Sequence, residues 1–518
     1  MENALNIGSP PSRSNAIRRV LVLGGGSAGF LAAITLKAKL PDLQVTVLRS
    51  REIGIIGVGE GSIIGVAKHL HCFLEVDTAT FYRLVQPTWK LGVRFLRWGP
   101  RPYFDYSFAL QLHARYQGLP KYTGYYCDDA FDDVAMPTAL MSRNRAFRRL
   151  QNGLPGIGRD FAYHFENELL CNYLEMEARR RGVTITDGNV LEATEDDQGI
   201  TGLRLQEGGT ATADLYIDSS GFRSVLLGGA LREPFVSFKS SLFCDRAVVG
   251  GWDRTAAEPI KPYTTAETMD HGWCWQIEHE RRINRGYVYS SSFCADDAAE
   301  REFRAKNPKV QSTRIVKFVT GCYQRSWVKN VVAIGNAAGF VEPLEATSLG
   351  VICTQLEFLA TVLIDCDRQP DEHWRRLINV RHARVWESIR RFLALHYRFN
   401  TRQQTPFWRE CVQKSDLAGA EPVVEYYQHS GPTPLPCLAM LDQYDLFGAE
   451  GYLSMLVGQG VPYRHASEPT AAELQAVADI RRAVGQHAEA GVTSEEALQW
   501  IRRPDWVWLP QYFKVDLR

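Results

Sequence analysis

Gly24, Gly26 and Gly29, in the run GGGSAG, fall at the spacing GxGxxG directly after an apolar β-branched stretch and at the opening of a helical one. Glycines there permit a tight turn. They also let backbone N–H groups, those of Ser27 and Ala28 included, approach a pyrophosphate at the positive end of a helix. The chemistry implied is dinucleotide binding, and which dinucleotide stays open at this level. Where an acidic residue usually holds the adenosine ribose, the second strand runs into Arg49, Ser50 and Arg51, with Glu52 next. Basic residues at that place suit a 2′-phosphate and hence NADP, whereas Glu52 or backbone atoms suit a plain ribose. Other chemistries lack their residues. Eleven cysteines, an odd number with no CxxC pair, give neither a disulfide framework nor a zinc site and fit a reducing cytoplasm. His113, His271 and His396 have no metal-ligand spacing, so no metal is assigned, and no GxSxG nucleophile turn occurs.

The elements that must position these residues follow from patterning. Arg18 to Leu23 predicts a strand, Phe30 to Leu40 a helix stopped by Pro41 and Asp42, and Leu43 to Leu48 a second strand, which completes a βαβ unit. Short apolar runs predict further strands at 183–185, 202–205, 215–217, 287–290 and 331–334. From about Glu357 the pattern turns helical, as in His373 to Phe399 and Ala471 to Ala490, with a Pro- and Gly-rich connection near Ser430 to Pro436. Residues 1–16 read as a mobile tail.

The whole-chain figures narrow the function. A length of 518 residues allows about three structural units at roughly 150 residues each. Lys plus Arg and Asp plus Glu each total 59, so no net field gathers nucleic acid or an anionic membrane. The N-terminus lacks the apolar core of a signal peptide and no uninterrupted apolar run reaches 18 residues, so no membrane segment is expected.

Two later segments, DLYIDSSGFRSVL at 214–226 and VVAIGNAAGFVEPLEATSLG at 331–350, resemble the flavin-dependent monooxygenase superfamily, in which a GD(A)AG-like turn closes an FAD site. Here that turn is Gly335, Asn336, Ala337, Ala338, Gly339. Asn in place of Asp, followed by FVEPLEAT, resembles the flavin-dependent tryptophan halogenases within that superfamily. IGVGEGSI at 56–63, containing Gly59, Glu60 and Gly61, resembles the family's flavin-contacting loop. WKLGVRFLRW at 89–98 resembles the segment carrying its catalytic lysine. WCWQI at 273–277 matches five positions of the WxWxIP signature, with Glu278 replacing Pro. LHYRFNTRQQTPFW at 395–408 resembles a family helical region, and GYLSMLVGQGVP at 451–462 extends the match.

The resemblance implies an α/β fold: a Rossmann-like FAD-binding module with a substrate-side β-sheet over residues 17–365, then a mainly helical substrate-binding module over 366–518. It implies reduced FAD from a separate NAD(P)H-dependent flavin reductase, oxygen, and chloride or bromide oxidised to hypohalous acid. Lys90 would hold or capture that oxidant, and Glu345 would polarise it or take the ring proton. Backbone N–H groups at Thr347 and Ser348 would bind halide. Family members often read Glu-Ser-Thr-Gly here; Ala346 replaces the Ser and Ser348 the Gly. Gly24, Gly26, Ser27, Ala28, Gly29, Arg49, Gly59, Glu60, Gly61, Gly335, Asn336 and Gly339 would line FAD. The tryptophans of WCWQI would keep substrate from the flavin. Phe108, His113 and Tyr452 are the substrate-pocket candidates, the family's histidine position falling on Ser107. The expected substrate is an electron-rich arene, the indole of a tryptophan inside a peptide or carrier-bound intermediate, in specialised-metabolite biosynthesis. Two rivals stand beside it: an FAD aromatic hydroxylase that would not need Lys90, and a silent flavin-binding or partner-docking protein.

Overall fold

A computed structural model describes residues 16–54, 57, 59–127, 131–464 and 468–508. Most of the N-terminal tail, and Ile56 and Val58 of the flavin-loop segment, lie outside the described residues.

Six strands make the first sheet, in the order Trp327–Val328, Val331–Ala333, Leu215–Asp218, Arg19–Leu23, Gln44–Arg49, Thr184–Asp187. All pairings are parallel except that of the edge strand Trp327–Val328. A parallel sheet is covered on both faces, which is why these strands read as short apolar runs. The helix Ser27–Lys39 packs on this sheet and on the helices Asn167–Arg180 and Ser348–Asp365. Phe30, Ile34 and Leu36 meet Leu356, Leu359 and Leu363 in one core. The helix Ser348–Asp365 is long and apolar enough to cross a membrane by composition; here it is mostly a core helix.

The second large sheet has seven strands in the order Thr313–Lys317, Arg246–Asp253, Arg282–Tyr289, Gly272–Glu278, Thr264–Met269, Gly92–Leu96, Tyr103–Ser107. Only the Thr264–Met269 and Gly92–Leu96 pair is parallel. One face carries Val93, Phe95, Phe104, Trp273, Trp275 and Ile277 into a core shared with the C-terminal helices. The longest of these, Glu372–Arg398, starts at Asp371, whose carboxylate accepts from the N–H groups of His373 and Trp374. Its inward stripe, Ile378, His382, Val385, Ile389, Phe392 and His396, steps by four and three residues.

A small three-stranded sheet links the two halves. Ala162–Phe165 is its centre, flanked by Glu60–Gly61 on one side and Thr88–Lys90 on the other. It sets the loop that would face the flavin beside the strand that ends in Lys90.

Candidate active site

At the dinucleotide turn the three glycines do different work. Gly24 has φ +122°, and a side chain there would run into Ser219; a Cβ on Gly29 would collide with the Gly24 carbonyl. Both are needed for the turn itself. A Cβ on Gly26 would meet nothing within 4 Å, and no side chain caps the helix Ser27–Lys39 that begins there. The first N–H groups of that helix therefore border open space of the kind a pyrophosphate fills. The second flavin-like turn adjoins the first: a Cβ on Gly335 (φ +56°) would touch the Ala28 Cβ at 3.3 Å, and the Gly335 N–H donates to Gln355. Asn336 sits within that turn, and Gly339 packs tightly against Cys322. Arg49 is engaged elsewhere, in ion pairs with Glu175 and Asp187. Its side chain lies against Gly25.

The strand Glu60–Gly61 is held by Asn167, the first residue of the helix Asn167–Arg180. The Asn167 side chain accepts from the Gly59 N–H at 3.0 Å and donates to Glu60. Burial pushes the Glu60 carboxyl up to about 7, with the Asn167 contact opposing it. Gly61 follows, and a Cβ there would lie 3.1 Å from the Ala346 Cβ, so this strand abuts the turn that carries Glu345.

Lys90 is fully buried at the end of its strand. Its ammonium donates to the Ser62 carbonyl at 3.0 Å and lies 5.6 Å from the centre of the Phe108 ring. Burial lowers its pKa to about 8, against the opposing charge of Glu345.

Glu345 is equally enclosed, at 4% exposure. It ends a short 3₁₀ turn, Pro343–Glu345; Ala346 then takes a left-handed conformation (φ 55°) and the helix Ser348–Asp365 begins. The right-handed to left-handed sequence makes a concave set of N–H groups, and those of Thr347 and Ser348 add the positive end of an 18-residue helix. Such a turn suits a small anion. Glu345 Oε1 meets His396 Nε2 at 2.9 Å, while His396 Nδ1 lies 2.9 Å from the Phe392 carbonyl. A carbonyl only accepts, so Nδ1 carries a hydrogen. The contact between Nε2 and Glu345 then needs one more, so the pair shares one proton.

The substrate-side residues divide. Phe108 reaches Lys90. Ser107, the position assigned to the family's histidine, has a buried hydroxyl without a partner among the described residues. Tyr106, two residues before Phe108, belongs with Phe104 to the core-facing side of its strand and packs against Phe392. Its hydroxyl is held well above the ordinary range by burial, then by the charges of Glu345, Glu450 and Asp445. His113 is exposed and bound to Glu450 at 2.6 Å. The Tyr452 hydroxyl donates to Asp445 at 3.1 Å.

Sequence reasoning singled out neither His396 as Glu345's partner nor Tyr106, Ser62 and Glu342. Only Tyr106 had a signal, its place midway between Phe104 and Phe108 in the alternating run FDYSF. The WCWQI tryptophans lie on the strand Gly272–Glu278, in the core beside the site. Trp273 donates its indole N–H to Glu342 at 3.0 Å, and Gly286 leaves the space that the Trp275 ring occupies. Glu278 is buried against Arg254 and accepts from Gln276 at 2.6 Å. The Glu278 carbonyl accepts from the hydroxyl of Thr88, two residues before Lys90. Among the described residues no cluster of His, Cys, Asp and Glu could hold a metal.

Known proteins resemble this chain in sequence and fold. A family model described as tryptophan halogenase matches residues 19–475. Tryptophan 7-halogenase KtzQ of Kutzneria sp. (strain 744) is 32% identical, over 82% of this chain and 84% of the relative. Tryptophan 7-halogenase RebH of Lentzea aerocolonigenes is 29% identical, over 80% and 82%. Among solved structures, MibH, described as a lanthipeptide tryptophan 5-halogenase, superposes with a TM-score of 0.86 at 36% identity and 96% coverage of both chains. Xcc4156, a flavin-dependent halogenase from Xanthomonas campestris, gives 0.83 at 28% identity, with 93% and 97% covered. The chain therefore belongs to the tryptophan halogenase family and is a flavin-dependent halogenase.

Proposed function

We propose that this enzyme halogenates the indole of a tryptophan carried within a peptide. The observation that carries the reaction is the fully buried Lys90, its pKa lowered to about 8, facing the charge of Glu345. Bound reduced FAD supplies the electrons with which oxygen and chloride or bromide yield hypohalous acid. The open space at Gly26 and the closeness of Gly335 to Ala28, where a Cβ at residue 335 would meet the Ala28 side chain, support residues 24–29 and 335–339 as its seat. One GxGxxG setting leaves no second site for NAD(P)H, which supports a separate reductase.

The protein's own groups then move protons. The N–H groups of Thr347 and Ser348 hold the halide. Lys90 donates a hydrogen bond to the hypohalous oxygen. As the ring carbon takes the halogen, the departing hydroxide takes the Lys90 proton and leaves as water, and the Glu345 carboxylate accepts the proton lost from the ring carbon. Returning that proton to Lys90 restores the starting state. For Glu345 to act as base, the shared proton must rest on His396, so the working form is carboxylate and imidazolium.

Three features support a peptide substrate. His113 and Tyr452 are bound to Glu450 and Asp445, which leaves neither as a ready grip for a free amino acid. A cavity of about 380 Å³, lined in part by Leu91, Ala109, Gln111, Arg115 and Phe147, opens beside the Lys90 and Phe108 segments. MibH shares 36% identity along nearly the whole chain. Tyr106 and Phe108 would flank the indole. The eleven cysteines, all free, support a cytoplasmic setting.

Competition between free L-tryptophan and a tryptophan-containing peptide at equal concentration, with FAD, reductase, NADH and chloride, tests this reading. Mass spectrometry should find halogen mainly on the peptide. A clear preference for the free amino acid would sink the peptide reading.

A further inference from the structure

Glu342 has no role in the proton transfers above, yet it is one of the most enclosed carboxyl groups in the protein, at 1% exposure. One of its oxygens, Oε1, accepts two hydrogen bonds from opposite sides. The Trp273 indole N–H reaches it at 3.0 Å from the seven-stranded sheet, and the Tyr397 hydroxyl reaches it from the helix Glu372–Arg398. The other oxygen, Oε2, is buried with no hydrogen-bond partner among the described residues. Burial of a carboxyl with one bare oxygen is unfavourable, and an apolar residue would fill the same volume more cheaply.

Its neighbours show what it can do. Three residues on, Glu345 is bound by His396, and Glu342 is bound by Tyr397, the next residue of the same helix. Two consecutive side chains of one helix thus grip the two carboxyl groups that bracket the Pro343–Glu345 turn. Trp273 ties that turn to the strand Gly272–Glu278 as well. The left-handed Ala346 and the N–H groups of Thr347 and Ser348 follow immediately.

We propose that Glu342 is a positioning residue: by joining Trp273 to Tyr397 through one oxygen, it fixes the turn that aims Glu345 and presents the Thr347 and Ser348 N–H groups to halide. This rests on the assignment of halide to those groups. What must be preserved at residue 342 is an acceptor of this size; its negative charge is not required.

Steady-state halogenation of the peptide substrate at varied chloride, with oxygen uptake recorded in parallel, tests it in Glu342→Gln, Glu342→Leu, Trp273→Phe and Tyr397→Phe. Glu342→Gln should keep the KM for chloride within about twofold of the parent. Glu342→Leu should raise that KM at least tenfold and lower the product formed per oxygen consumed, with FAD affinity unchanged. Trp273→Phe and Tyr397→Phe should each raise it several-fold, and neither should add much in the Glu342→Leu background, because a shared acceptor makes the effects non-additive. If Glu342→Leu does not fold, the two phenylalanine variants, which remove only a donor, still decide. Parent-like chloride KM and coupling in Glu342→Leu, or in both phenylalanine variants, overturns the proposal. Additive effects of the three also overturn it. The parent is the control for the underlying reading: if its own rate does not saturate with chloride, the halide assignment fails first, whatever residue 342 does.

Discussion

Lys90 carries opposite demands of folding and chemistry. Its pKa in the folded chain, about 8, lies below the ordinary 10.5 of a free lysine, so burial disfavours the charged form. Below pH 8 the folded protein holds an ammonium it would bind less readily than the unfolded chain does. The cost is about 3 kcal/mol, and it fades as pH rises from about 8 to 10.5. Lys90→Met should therefore abolish halogenation while raising the thermal midpoint at pH 7, and the gain should shrink above pH 8. In the parent, halogenation should fall as pH rises through about 8, because the proton that Lys90 gives to the departing hydroxide is lost. Rates across pH 6 to 9.5 and paired thermal melts check both limbs; a stability gain that persisted unchanged at pH 10.5 would contradict the burial account. At this scale the sequence was legible only where residues act locally. Gly24, Gly26 and Gly29 declare their turn by spacing, whereas Lys90 and Glu345 stood out only through the resemblance. The His396 pairing with Glu345 spans 51 positions, and that of Trp273 with Glu342 spans 69. No local pattern encodes such partners.

Among elements, the five mutually parallel strands of the first sheet and the helices Glu372–Arg398 and Ala471–Glu489 lay within a few residues of their predicted limits, because an apolar run or a helical stripe marks each, whereas the short edge strand Trp327–Val328 was not foreseen. The antiparallel sheet was harder to see. Thr264–Met269, with sequence TTAETM, is buried along its whole length yet mostly polar, since Glu267 meets Arg285 across the sheet and Lys306 at the end of the helix Asp296–Lys306. Glu278 is the sharpest departure from the family signature. With Glu in place of Pro, the strand Gly272–Glu278 stays paired to Arg282–Tyr289 through residue 278, since glutamate, unlike proline, keeps its N–H. The carboxylate then needs Arg254, which also donates to the carbonyls of Glu258, Pro259 and His279. Arg254→Met should destabilise the protein by about 3 to 5 kcal/mol, because an unpaired buried carboxylate remains. Adding Glu278→Gln should recover part of that loss. Urea melts of the single and double variants give the comparison, and equal stability of the two would show that Glu278 is not the source of the cost.

Over the whole molecule, the strand proposed to face flavin and the turn proposed to hold halide meet where Gly61 faces Ala346, with little room for a side chain at residue 61. The three-stranded sheet makes that contact rigid: Ser62 exchanges hydrogen bonds with Tyr163 on the central strand while its carbonyl holds Lys90. With FAD on that strand and halide on the Thr347 and Ser348 N–H groups, as proposed, a displacement of the strand would alter the space around the left-handed Ala346. The two ligands would then be thermodynamically linked, and linkage is reciprocal. Whatever factor FAD imposes on chloride affinity, chloride must impose on FAD affinity. Titrations of FAD with and without chloride, and of chloride with and without FAD, should return one common factor different from unity. Gly61→Ala, which crowds Ala346, should change that factor more than it changes either affinity alone. A factor of one in the parent would mean that the contact transmits nothing. A factor other than one would make the surrounding chloride concentration a determinant of how much of the enzyme holds its flavin.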